Sequence, residues 1–164
     1  MSNKTILFLF GLAFLFSFKL VFAEMLISEV KYSPTTKQWV EIYNDTDNDI
    51  DIATYKILDS GAQTNGHGIS ALVAGSNLIP KHSFGIVAKV PEDFSSSSFT
   101  VFKSSLNIKV SEDNVILRNG LGEDIDSVSI DGTAVDGNSF QLVNGAWVAS
   151  LPTPGAENEV SENN

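Results

Sequence analysis

The chain of 164 residues contains no cysteine, only two histidines, and half as many basic as acidic residues, 10 against 20. Each shortage excludes something. No disulfide can staple the fold, so a hydrophobic core has to hold it, and at this length that core buries roughly two thirds of the surface the unfolded chain exposes. Thiol nucleophiles, cysteine zinc ligands and a lipidated cysteine are ruled out. A formal net charge of −10 opposes nonspecific nucleic-acid binding, which depends on Lys and Arg neutralising phosphates. From Glu24 on, no apolar run keeps helical spacing beyond a turn or two and no heptads are sustained, which excludes a helical bundle and a coiled coil. Hydrophobic residues nevertheless make up 43% of the chain and charged ones only 18%, a balance that argues for one ordered domain rather than disorder.

What is present begins with a leader. Met1–Lys4 is short and basic, residues 6–18 (ILFLFGLAFLFSF) form an apolar run, and Val21-Phe22-Ala23 places small residues where a signal peptidase reads. Residues 1–23 are therefore expected to be a secretory signal peptide, and its loss removes two lysines and no acid. The competing expectation is an uncleaved membrane anchor over residues 6–23, at the lower limit for a span and interrupted by Lys19. The first reading predicts a secreted or periplasmic protein, the second a membrane-tethered one. Residues 24–156 are expected to form the domain, and 157–164 a polar, frayed tail.

Within the domain, short alternating segments are bounded by Gly, Asn, Asp, Ser and Pro. Strands are predicted near 25–33, 38–44, 50–58, 69–73, 83–89, 99–103, 115–119, 124–130, 140–143 and 146–149, an all-β pattern that means a sandwich or barrel. Serines 95 to 98 read as a polar linker. The segments FQLV and AWVA are separated by Asn144-Gly145, the pair best suited to a two-residue turn with positive φ at both positions. This predicts a hairpin in which Leu142 faces Trp147 and Phe140 faces Ala149, with those four residues turned to the core. Pro152 and Pro154 cannot donate ladder hydrogen bonds, so pairing should stop there, with Gly155 letting the chain turn away. A second hairpin is predicted across 119–123, bringing Val115 and Leu117 against Val128 and Ile130. In QWVEIYN, Val40 and Ile42 share one face and Trp39, Glu41 and Tyr43 the other, so Glu41 reads as a solvated residue on an edge strand between aromatic rims.

These segments in order, LISEVKY (26–32), WVEIYN (39–44), IDIATYKILD (50–59), LIPKHSFGIV (78–87), DNVILRNGLGEDIDSV (113–128) and GNSFQLVNGAWVASLPTPGAEN (137–158), resemble the lamin-tail domain family in its bacterial secreted form. The most specific pieces are WVEIYN and the closing G-x-S-x-Q…W…PTPGA-x-N. The resemblance implies an immunoglobulin-like β-sandwich. In nuclear lamins the domain follows a coiled-coil rod and serves protein and chromatin contacts; in bacteria it is an accessory or stand-alone module on exported proteins, often beside hydrolases or nucleases. It implies no catalytic residues, and the acidic balance departs from a chromatin-contacting surface.

The chemical inventory is thin. His67 lies in Gly66-His67-Gly68, read as a loop, and His82 precedes a strand; their fifteen-residue separation matches no zinc motif. No G-x-S-x-G is present. Asp45, Asp47 and Asp49, continued by Asp51, resemble the alternating oxygens that open a calcium loop, but Ile50 stands where that loop needs Gly and Lys56 where it needs a bidentate Glu. The same residues suit a polar turn before the next strand. Asn44-Asp45-Thr46 is formally a glycosylation sequon. The chain is thus expected to be a non-catalytic binding or surface-interaction module with a protein or envelope-surface partner and no cofactor. The alternatives are an accessory, calcium-dependent module of a separate secreted hydrolase or nuclease, or a tethered structural component of the envelope.

Overall fold

The computed structural model describes residues 25–71, 76–95, 97–134 and 136–161; the expected leader lies outside them. Thirteen strands run through the described chain, β1 (Met25–Lys31), β2 (Trp39–Asn44), β3 (Ile50–Asp51), β4 (Lys56–Leu58), β5 (His67–Gly68), β6 (Ser70–Ala71), β7 (Leu78–Ile79), β8 (Ser83–Ala88), β9 (Thr100–Lys103), β10 (Asp113–Arg118), β11 (Asp124–Ile130), β12 (Ser139–Val143) and β13 (Ala146–Ser150). Only two 3-10 turns, Thr35–Lys37 and Pro91–Phe94, interrupt them. The larger sheet has the order β13-β12-β1-β2-β8-β9-β6, the smaller β11-β10-β4-β5, and β3 with β7 makes a two-stranded ribbon. The result is the immunoglobulin-like β-sandwich expected.

The core forms where the alternating apolar residues of the two sheets meet. Ile27, Val30, Val40, Ile42, Val87, Phe102 and Phe140 come from one layer, and Ile57, Val115, Leu117, Val128 and Ile130 from the other, all in one buried cluster. Each large side chain so buried contributes about 1.5–3 kcal/mol. Gln38 ties the connections into this core: its Nε2 donates to the carbonyl oxygens of Tyr32 and Ile108, and its Oε1 accepts from Ile108 N–H at 3.1 Å. A buried amide satisfied on both ends in this way does not incur the desolvation penalty of an unpaired one.

Both predicted hairpins are present. Asn144 and Gly145 have φ of 51° and 79°, and β12 pairs with β13 as Phe140 to Ala149, Leu142 to Trp147 and Val143 to Ala146. Phe140 enters the core and Trp147 stacks on it, with centroids 5.3 Å apart. Ala149, however, is exposed and Leu142 only half-buried; they lie at the margin of the sheet, where β13 is the outermost strand and β12 its neighbour. The β10–β11 hairpin sets Val115 against Val128, and Asn119 N–H donates to Glu123 O at 2.9 Å across its turn.

Other expectations are corrected. Residues 50–58 are two strands in different sheets, since Asp51 Oδ1 accepts from Ala53 N–H and Tyr55 N–H donates to Ile52 O, turning the chain between them. The strand expected over 69–73 is seen only as Ser70–Ala71: Ile69 is buried but outside the strand, and residues 72–73 lie outside the described residues, as does Ser96 of the serine linker. Strand β2 is not an edge: it sits between β1 and β8.

Candidate functional site

Along β1 the inward-facing residues are Met25, Ile27 and Val30, a spacing that strict alternation forbids. The pairing with β2 is shifted between Ile27 and Glu29, which inserts Ser28 as a bulge. A bulge flips the alternation once, so Ser28 and Glu29 both point to the outer face while Ile27 and Val30 both stay in the core. Glu29 is thereby set directly across from Glu41 on β2 and, on its other side, from Gln141 on β12.

Both carboxyl groups are fully buried. Glu41 is therefore not the solvated edge residue expected. What covers it is the segment after β13, which does not turn away at Gly155 but folds back over the sheet. Gly155 N–H donates to Glu41 Oε2 at 2.6 Å, and the Ser28 hydroxyl lies 2.6 Å from Glu41 Oε1. Thr153 N–H points between the two oxygens of Glu29, at 3.2 and 3.3 Å, and Thr153 Oγ1 lies 3.1 Å from Oε2. Ser139 Oγ makes a very short contact to Glu29 Oε1, and Gln141 Nε2 approaches the same oxygen at 3.1 Å. Asn158 Nδ2 donates to Ser28 O at 2.6 Å and to Leu142 O at 3.2 Å, pinning the far end of the strap. Beyond it, Ser150 Oγ donates to Glu159 O and accepts from Ser161 N–H. The fraying expected from Glu157 on thus does not extend over Glu157–Ser161.

Two carboxyl groups side by side in a dry site cannot both ionise cheaply. Burial pushes Glu29 above its ordinary range, against the pull of its hydroxyl and amide donors. Burial pushes Glu41 up to about 8, with Ser28 and Gly155 opposing and the charge of Glu29 adding to the rise. The hydrogen-bond order agrees with protonation. The single Thr153 hydroxyl proton has two oxygen neighbours, Glu29 Oε2 and Asn158 Oδ1; a proton on Oε2 lets Glu29 donate to Thr153 Oγ1 while that hydroxyl donates to Asn158.

Glycine is required at position 155. Its φ is 79°, and a β-carbon there would overlap the Phe99 ring. Phe99 in turn packs on Phe94, which meets Trp39 edge-on, and Trp39, Ile86 and Ala88 form a second small apolar cluster under them. The outer face of β2 and β8 is therefore covered twice, by these aromatics and by the strap.

At the far end of the same face the cover stops. Tyr43 and Phe84 stand side by side, both half-buried, with ring centroids 4.8 Å apart and planes 39° from parallel. Two adjoining grooves of about 350 and 380 Å³ meet at His82 and Phe84. The larger is walled by Leu26, Leu142, Asn144, Glu157 and Asn158, so the strap that seals the carboxyl pair is also one bank of the groove.

The residues singled out from sequence do not gather into a centre. Asp47 pairs with His82 at 3.1 Å, Asp49 accepts Lys81 N–H at 3.0 Å, and Asp51 caps Ala53, while Asp45 is half-buried. No three acidic or histidine side chains among the described residues are grouped to hold a metal ion. Asn44 is buried, its Nδ2 facing the carbonyls of Asn48, Ile79 and Pro80, so the sequon is not presented on the folded surface. His67 is not in a loop: it lies on β5 opposite Ile57, with Nε2 at 2.9 Å from Asp59 and Nδ1 at 3.0 Å from Ser105 Oγ. Asp59 also accepts Gly61 and Asn107 N–H. This Ser-His-Asp row has the imidazole reversed relative to a hydrolase triad, and neither groove beside Phe84 is lined by Ser105 or His67. It fastens 59–61 to 105–107.

Alternation alone does not single out Glu29, although the sequence holds a signal for it. An acid inside each of two apolar strands, ISEVK and WVEIY, needs partners if both faces are covered, and the closing segment supplies Ser139, Gln141, Thr153 and Asn158 in quick succession.

Compared with known families, residues 22–132 match the model of the Lamin Tail Domain. The strands β12 and β13 and the strap lie beyond the matched stretch. No curated protein matches the chain.

Proposed function

The chain belongs to the lamin tail domain family, and from that premise we propose that it acts as an exported, non-catalytic binding module whose recognition surface is the groove floored by Tyr43 and Phe84. The groove itself is the observation that carries this reading. Its volume falls in the range of pockets that hold small ligands or side chains, it combines an aromatic floor with a polar rim, and it is built on sheet strands stiffened by the buried carboxyl pair, which preorganises it. The amino-terminal leader expected over residues 1–23 supports export, and the acidic balance speaks against nucleic acid as partner. The test is capture from envelope and medium fractions by the chain from Glu24 on, beside a Phe84→Ala variant with an unchanged melting temperature. A partner retained by the first and lost by the second is expected. Equal retention by both moves recognition off the groove.

A further inference from the structure

The two grooves that meet at Phe84 combine aromatic walls with a polar rim. Tyr43 and Phe84 pack on one another, with ring centroids 4.8 Å apart, and both line the larger groove. The rim carries the exposed carboxylate of Glu157, and His82, at the junction, is already held by exposed Asp47. Neither groove is lined by a lysine or arginine among the described residues; Lys81, next to His82, lies outside both. The whole chain adds a net charge of −10, which raises the local concentration of cations at any concave surface.

Aromatic faces with a carboxylate at their margin suit one kind of occupant. The ring quadrupole attracts a cation held over its face, and a guanidinium is planar enough to stack there while its edge forks to a carboxylate, which an ammonium cannot do. We infer that the groove takes an arginine side chain from an extended segment of a protein partner, its guanidinium set against the Tyr43–Phe84 pair and forked to Glu157, with the segment continuing past His82 into the neighbouring groove beside Thr100 and Gly155.

This rests on the binding-module reading and narrows it to a basic peptide segment. The neighbouring groove, lined by Pro80, Ser83, Phe99 and Thr100, gives the backbone on one side of the arginine a continuous bed. Asn144 at the hairpin tip marks the other end.

The probe is an acetylated, amidated Gly-Ser-Arg-Ser-Gly peptide added to the chain from Glu24 on and followed by amide chemical shifts, with a citrulline peptide of the same length as its uncharged isostere. Shifts confined to Tyr43, Phe84, Glu157 and their neighbours are expected. Glu157→Gln should weaken binding about twofold to fivefold, the range of an exposed cation–aromatic or ion pair, and Glu112→Gln, on a remote exposed acid, should leave it unchanged. The inference is overturned by equal binding of the citrulline peptide, by equal effects of the two Glu→Gln variants, by shifts spread over the acidic surface, or by no binding at all. If the capture experiment still returns a groove-dependent partner in any of those cases, the module reading stands and only its arginine chemistry fails.

Discussion

Glu29 faces Glu41 across β1 and β2, two buried carboxyl groups brought together by a one-residue bulge at Ser28. Beside Ser28 and the β12 residues Ser139 and Gln141, the pair is held by a strap more than a hundred positions away in the chain, with Gly155 lying 114 residues from Glu41.

Stability should fall as the medium becomes alkaline. Glu41 ionises near its ordinary value of 4.5 when unfolded and at about 8 when folded. Its contribution is whole below 4.5 and is lost as pH rises to 8, at up to about 1.4 kcal/mol per pH unit. Glu29, shifted in the same direction, adds to the slope. Urea midpoints measured from pH 5 to 8.5 should decline, and Glu41→Gln should flatten the profile. An equally steep decline in that variant would mean another group is titrating.

Glu41→Ala should be far worse than Glu41→Gln. Glutamine keeps an acceptor for Gly155 N–H and fills the same space, whereas alanine leaves Ser28 Oγ and that N–H without partners around a void. A loss of about 2–4 kcal/mol is expected for alanine, read from chemical denaturation at pH 6; similar stabilities for the two variants would contradict the tight seal.

Gly155→Ala is expected to release the strap, because the Phe99 ring occupies the place of the new carbon. The cost should be about 1–3 kcal/mol, with faster amide exchange at Thr153 and Gly155 while Val115 and Leu117 in the opposite layer keep their protection. Gly145→Val meets open space instead and carries only the strain of a β-branched residue at φ 79°, about 1–2 kcal/mol. An unchanged melting curve for that variant would contradict the turn.

Millimolar calcium should leave the melting temperature where it is. Asp47, Asp49 and Asp51 each serve a different neighbour, and an ion that does not bind the native state cannot stabilise it. A rise of several degrees would show that the loop can rearrange around the ion.

Much of the fold is readable in the chain. Asn144-Gly145 predicts its turn and the pairing of Leu142 with Trp147, since a two-residue turn leaves one register and one hand of twist. The paired apolar residues of β10 and β11 are equally legible. Glu41 is not, because alternation tells which residues share a face and says nothing about whether that face is covered. His67 misleads because flanking glycines read as loop, while here Gly66, with a φ of 64° and no room for a β-carbon beside Lys56, lets the two-residue strand pass close to β4.

From the order of its residues alone, most of the protein's longer strands, its closing turn, its acidic balance and its family follow, because these depend on neighbours a few positions apart or on summed charge. Which carboxyl group is dry, which aromatic pair lines a groove, and where residues 152–161 lie were decided only when distant segments met. Burial is a property of two surfaces in contact, and the second surface here arrives from the other end of the chain.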